Sequence, residues 1–195
     1  KVAQRLQSIT GAGHLVARLG GDEFAVLLRQ SPEATDFLPY VQNQAHTLVN
    51  ALNQPLTVDG RRLRIGASVG VALFEPGFTD VDALLVHADT ALYEAKDQGR
   101  GRYTVYTLQM GERNQRKARL ENDLRLALAR GEFELYFQPQ VDARNGQIIG
   151  AETLLRWMHP QQGAQSPALF IDVLEESGLI VEVGDWVLTE ACHVC

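Results

Sequence analysis

The sequence predicts a mixed α/β (α+β) chain: a mixed sheet with helices, then a connecting helix, then the opening of a second α/β unit. Hydrophobic spacing switches repeatedly between the 3.6-residue period of helices and the two-residue period of strands. Turn signals at Gly20-Gly21, Asp59-Gly60 and Asn145-Gly146 each separate two strand-like runs. A charge-rich stretch from Glu112 to Arg130 interrupts this pattern before it resumes.

Val2, Leu6 and Ile9 are spaced like the buried stripe of a helix already under way, as if the chain started inside a domain. Leu15–Leu19 and Phe24–Leu28 read as strands flanking Gly20-Gly21. Ser31-Pro32 supplies an N-cap and a proline for the first helical position, and the following helix carries Val41, Ala45, Leu48 and Leu52 on one face. A second hairpin turns at Asp59-Gly60, and its return strand, with Leu63 and Ile65, runs on through Ala67–Leu73. A helix then starts at Thr79 with the stripe Leu84, Leu85, Ala88, Leu92 and Ala95, and stops at Gly99. Tyr103–Tyr106 is a strand.

Leu120, Leu124 and Leu128 mark the connecting helix. Beyond Gly131, strands are expected at 133–138 and 147–157, with helices from Pro167 to Ser177 and from about Val183. The organisation is therefore 1–106, 107–130 and 131–195, with the last part looking cut off.

The 195 residues are 45% hydrophobic with a formal net charge of −6. This argues against a duplex nucleic-acid partner, which selects a basic face, but admits a small anionic ligand met by metal ions and local cations. Cys192-His193-Val194-Cys195 has metal-like spacing with no second pair to complete a tetrahedral site, so it reads as an ordinary helix end. With no disulfide framework, signal peptide or membrane-spanning run, the segment is expected in the cytoplasm, without membrane contact of its own. An anchor upstream of Lys1 stays open.

Gly20-Gly21-Asp22-Glu23-Phe24 holds the first chemistry. Glycines at a hairpin tip permit positive φ and close approach of backbone N–H groups to a ligand. Two adjacent carboxylates suit Mg²⁺, which shares oxygen ligands with phosphates; a merely solvated turn would look the same. Lys96 and Arg100, four apart at a helix end, would share a face and could reach one anion, or could simply complement the helix dipole.

Ala17-Arg18-Leu19-Gly20-Gly21-Asp22-Glu23-Phe24-Ala25 resembles the signature hairpin of the GGDEF family of diguanylate cyclases. Ala88-Asp89-Thr90-Ala91-Leu92-Tyr93-Glu94-Ala95-Lys96 with Gly99-Arg100 resembles that family's last helix, and Ser68-Val69-Gly70 matches between them. The resemblance implies that Gly20 and Gly21 approach the nucleotide. It casts Asp22 as metal ligand and base at the 3′-hydroxyl, with Glu23 assisting, and Lys96 and Arg100 as holders of the triphosphate. It also implies a homodimer joining two GTP molecules into cyclic di-GMP with Mg²⁺ or Mn²⁺. The family's first metal aspartate and guanine contacts fall upstream of Lys1. The inhibitory Arg-x-x-Asp motif is replaced by Gly11, Ala12, Gly13 and His14, so product inhibition through it is not expected.

In the second region Phe133, Leu135 and Phe137 alternate with Glu134, Tyr136 and Gln138, and Glu152 shares a strand face with Leu154 and Arg156. A Glu and an Arg on the inner side of a strand pair with each other or bind something. Leu135-Tyr136-Phe137-Gln138-Pro139, Glu152-Thr153-Leu154-Leu155-Arg156-Trp157, His159-Pro160, Pro167 with Phe170-Ile171 and Glu175–Ile180 resemble the start of an EAL domain. That family is a modified TIM barrel hydrolysing cyclic di-GMP with two divalent metals. The resemblance implies Glu152 as metal ligand and Gln138 and Arg156 as dinucleotide contacts. Thr153 departs from the signature on the face opposite Glu152. The remaining family ligands and base fall beyond Cys195, so neither reaction is expected of this chain alone.

Three functions follow: a diguanylate cyclase joined to an EAL half, a cyclic di-GMP phosphodiesterase regulated by a GTP-binding GGDEF half, or a non-catalytic cyclic di-GMP sensor.

Overall fold

The computed structural model describes residues 1–29, 37–74 and 80–194. The chain divides into two compact units, Lys1–Glu112 and Arg113–Cys195.

The first unit opens with α1 (Val2–Thr10), whose Leu6 and Thr10 are buried. The hairpin β1 (Leu15–Gly20) and β2 (Glu23–Leu27) follows. Val16, Phe24 and Val26 pack with Leu6 of α1 and with Leu48 and Leu52 of α2 (Leu38–Asn53). The expected stripe Val41, Ala45, Leu48 and Leu52 is buried along α2, whereas the expected cap at Ser31-Pro32 lies outside the described residues. Arg5 ties α1 to the end of α2. Its guanidinium donates to the carbonyls of Ala51 (3.0 Å), Gln54 (2.7 Å) and Pro55 (3.0 Å), at the C-terminus of α2 and just beyond it.

β3 (Leu56–Val58) and β4 (Arg61–Leu63) close on Asp59 and Gly60, both at positive φ as a primed turn requires. The long strand expected through Leu73 is broken here: Arg64–Ser68 carry no strand, and β5 (Val69–Val71) pairs in parallel with β6 (Tyr103–Val105). The chain changes pairing partners between β4 and β5, so the intervening residues have no ladder to join. Sequence periodicity does not report partner identity.

α3 (Val81–Asp97) packs on this parallel pair. The expected start at Thr79 lies outside the described residues; the described cap is Asp80, whose Oδ1 accepts from the Asp82 and Ala83 N–H groups. Ala91 and Ala95 are fully buried, whereas Leu85, expected in the stripe, is exposed. The inward line instead advances by four, three and four residues from half-buried Leu84 and Ala88 to buried Ala91 and Ala95, one helical step away from Leu85. Small residues occupy it because the helix lies close on β5. A Cβ on Gly70 would overlap Ala88 O and Leu92 N and come within 2.8 Å of Leu92 Cβ.

α4 runs over Leu108–Arg130, within the connecting segment expected at 107–130. From residue 113 it belongs to the second unit, where Leu124 and Ala127 are buried and Leu120 and Leu128 pack against the core. This part of the helix is thus a core element as well as a connection. β7 (Phe133–Val141), β8 (Ile148–His159) and the short β9 (Gly163–Gln165) form an antiparallel sheet. α5 (Pro167–Ser177) ends on Gly178 in the left-handed conformation, and α6 (Ile180–Val194) starts three residues before Val183. Phe133, Trp157, Phe170, Leu174 and Val183 form the centre of this unit, and Lys117 pairs with Glu176 at its surface. Among the described residues no helix is long and apolar enough to cross a membrane.

Candidate functional site

The β1–β2 register runs Leu15↔Leu27, Val16↔Val26, Ala17↔Ala25 and Arg18↔Phe24, then skips to Gly20↔Glu23, leaving Leu19 as a bulge. Gly21 and Asp22 form the turn, and of the two glycines only Gly21 uses positive φ, at 46°. Asp22 therefore sits in the turn and Glu23 at the first paired position after it, both exposed. Phe24 packs beneath them, anchoring the hairpin to α1 and α2. Arg18, to which no role was attached from sequence, donates Nε (3.0 Å) and Nη2 to the Gly21 carbonyl. Its signal was only its place in the signature.

Lys96 lies in the last turn of α3, exposed. Arg100 is not on that helix, which ends at Asp97, so the argument that the two share a helix face does not apply. The Arg100 N–H bonds Ala95 O (3.1 Å) and the Gly99 N–H bonds Lys96 O (3.3 Å), a Schellman-type closure that turns the chain away. Gly99, Arg100 and Gly101 all have positive φ, 104°, 58° and 64°. A side chain in this conformation costs about 1 kcal/mol or more that glycine would avoid. His14 is engaged structurally: Nδ1 accepts from the Arg29 N–H (3.1 Å), and Nε2 meets the Tyr40 hydroxyl at 2.9 Å.

In the second unit Gln138 pairs directly with Glu152, Tyr136 with Leu154 and Glu134 with Arg156, so these six side chains share one sheet face. Gln138 and Glu152 are exposed and Arg156 is half-buried, on the sheet face opposite the core residues Phe133 and Trp157; none of the three is part of that core. Nor does an ion pair join Glu152 to Arg156 among the described residues. Four residues along a strand separate them by about 13 Å. Arg156 instead donates to Leu155 O (2.9 Å) and lies over the Tyr136 ring, 5.3 Å from its centroid.

Among the described residues no group of three or more His, Cys, Asp or Glu side chains could hold a metal; Cys195 lies outside the described residues. Asp22 and Glu23 still suit Mg²⁺, which commonly takes one or two carboxylates and leaves its other positions to phosphates and water. A shallow cavity of about 510 Å³, lined by Gln42, His46, Asn50, Gln98 and Arg102 over Val49 and Tyr103, includes none of the nine candidate residues.

Residues 1–102 match the family described as diguanylate cyclase, GGDEF domain, and residues 121–194 match the EAL domain. The chain is 43% identical over 193 residues to the bifunctional diguanylate cyclase/cyclic di-GMP phosphodiesterase MucR of Pseudomonas aeruginosa, covering 99% of this chain and 27% of that protein. It is 36% identical over 194 residues to the cyclic di-GMP phosphodiesterase NbdA of the same organism, covering 98% and 24%. The chain thus spans about a quarter of the length of these curated relatives. A solved structure of the GGDEF domain of YfiN (TpbB) from Pseudomonas aeruginosa is 33% identical, with a TM-score of 0.50 over 58% of this chain and 64% of that one.

Proposed function

Because this chain belongs to the GGDEF diguanylate cyclase family, with an EAL domain following at residues 121–194, we propose that its protein makes cyclic di-GMP from two GTP molecules and releases two pyrophosphates. The observation that carries this reading is the two-residue turn at Gly21-Asp22, which sets adjacent exposed carboxylates on a buttressed hairpin tip.

Each 3′-hydroxyl attacks the α-phosphorus of the other nucleotide in line, and the reaction is governed by positioning and charge stabilisation. In our reading Asp22 accepts the hydroxyl proton, Glu23 assists, Gly20 and Gly21 admit the nucleotide closely, and Lys96 and Arg100 hold the triphosphate. Asp22 and Glu23 would hold Mg²⁺ or Mn²⁺, which when bound offsets charge on the phosphate oxygens. Two protomers, each holding one GTP, would complete the reaction in the cytoplasm. We divide the chain into a GGDEF domain (1–106), a connecting helix (107–130) and the N-terminal part of an EAL domain (131–195).

The naming of NbdA as a phosphodiesterase favours a second reading, in which hydrolysis dominates and GTP regulates. Gln138, Glu152 as metal ligand, and Arg156 would then contact cyclic di-GMP. Their spread of about 13 Å along the sheet suits an extended dinucleotide better than a mononucleotide.

Arg100→Gly tests the site without disturbing the fold. The unfolding free energy is expected within about 1 kcal/mol of wild type, because glycine suits the left-handed position. GTP affinity is expected to fall about tenfold with the loss of a charge-assisted phosphate contact. Calorimetric titration with a non-hydrolysable GTP analogue reads the affinity and urea unfolding the stability; unchanged affinity would remove Arg100 from the phosphate site.

A further inference from the structure

We infer that Arg18 is a positioning residue for the Asp22 site, holding the Gly21-Asp22 turn in one conformation; this rests on reading the hairpin as the site of GTP condensation. A turn that lets backbone approach a ligand needs glycine, and Gly20-Gly21 supplies two. Glycine also makes such a turn soft, because both signs of φ are open to it and the peptide between turn residues can flip. In this hairpin Nε and Nη2 of one planar guanidinium both donate to Gly21 O, the carbonyl that would move in such a flip. The Gly21–Asp22 peptide is planar and trans, so fixing its oxygen on one side fixes the Asp22 N–H on the other and with it the origin of the Asp22 side chain.

The reach depends on the bulge. Arg18 pairs with Phe24, and the extra residue Leu19 lets the strand turn so that the side chain of Arg18 spans the loop three residues ahead. Arg18 is exposed and contributes little to the core. Its bidentate grip requires the fork geometry of arginine, which a lysine ammonium lacks.

The experiment compares wild type, Arg18→Ala, Arg18→Lys and Asp22→Ala in the full-length protein with GTP and Mg²⁺, alongside amide hydrogen exchange at the paired Gly20 and Glu23. Arg18→Ala and Arg18→Lys are expected to lower kcat about tenfold while KM for GTP stays within threefold and the unfolding midpoint is unchanged. Exchange across the Gly20–Glu23 pair should accelerate about tenfold as the turn loosens, and added guanidinium ion should restore part of the rate to Arg18→Ala. Wild-type kcat and exchange in Arg18→Ala would overturn the assignment. A raised KM at unchanged kcat would also overturn it, by making Arg18 a direct nucleotide contact. If Asp22→Ala keeps full synthesis, the cyclase reading of the hairpin fails instead; loosened exchange in Arg18→Ala would then still support the clamp, and unchanged exchange would refute it.

Discussion

Gly70→Ala is expected to destabilise the first unit by about 3 kcal/mol or more, at the upper end of overpacking effects. The added methyl would meet Ala88 O and Leu92 N, which are backbone atoms of α3 and cannot rotate away as a side chain would. Relief requires α3 to lift off β5 and β6, loosening the fully buried Ala91 and Ala95 together. Shortening Leu92 cannot help, since its Cβ remains in alanine, so Gly70→Ala/Leu92→Ala should be worse than either single change. Both tryptophans, Trp157 and Trp186, lie in the second unit, so urea unfolding is followed by circular dichroism or hydrogen exchange in the first unit. A loss below about 1 kcal/mol would mean that the helix and strand are not in the close contact described. The change would also displace the proposed phosphate site, because α3 carries Lys96 and leads directly into Arg100.

Trp157→Ala should cost the second unit about 3–5 kcal/mol, the range for deleting a large buried aromatic side chain. Trp157 is 1% exposed, edge-on to Phe170 at 5.8 Å and tilted against Phe133 at 6.5 Å. Its Nε1 donates to Glu132 Oε2 at 3.1 Å. Trp157→Phe separates the contributions: it keeps much of the apolar volume but removes that donor, so a loss of about 1–2 kcal/mol is expected. Trp186, which packs against the same core, remains as a fluorescent reporter of urea unfolding. Equal losses in the two variants would assign the stabilisation to the hydrogen bond instead of packing. Since Trp157 directly follows Arg156 and anchors β8, its loss should also disturb the Gln138–Glu152–Arg156 face.

Elements with a single periodic face were legible in the sequence. The α2 stripe and the bounds of α5 are found where hydrophobic spacing and turn chemistry place them. Less legible were features fixed by partners distant in sequence. The Asp59-Gly60 turn signals that β4 pairs with β3, but nothing in Arg61–Leu73 announces that β5 pairs instead with β6. β9 is three residues long, two of them Gly and Ala, and offers no alternation to detect. Leu85 and Ala91 on α3 show a different failure: hydrophobicity favours the leucine, but close packing on Gly70 favours the alanine.

The candidate site followed the same division. Asp22 and Glu23 could be found because glycines beside paired carboxylates are a local pattern. The grip of Arg18 on Gly21 depends on the bulge at Leu19, and the left-handed Arg100 on how α3 terminates; neither follows from residue spacing. The Gln138–Glu152 pairing needed the β7–β8 register, which the Asn145-Gly146 turn only narrows.

Chromatographic detection of cyclic di-GMP from GTP and Mg²⁺, in wild-type full-length protein and its Asp22→Ala variant, tests the central claim most directly. Product is expected from wild type, with none above background from an Asp22→Ala protein of unchanged fold. Equal product from both, or none from a folded wild-type dimer that still degrades added cyclic di-GMP, would contradict the cyclase assignment.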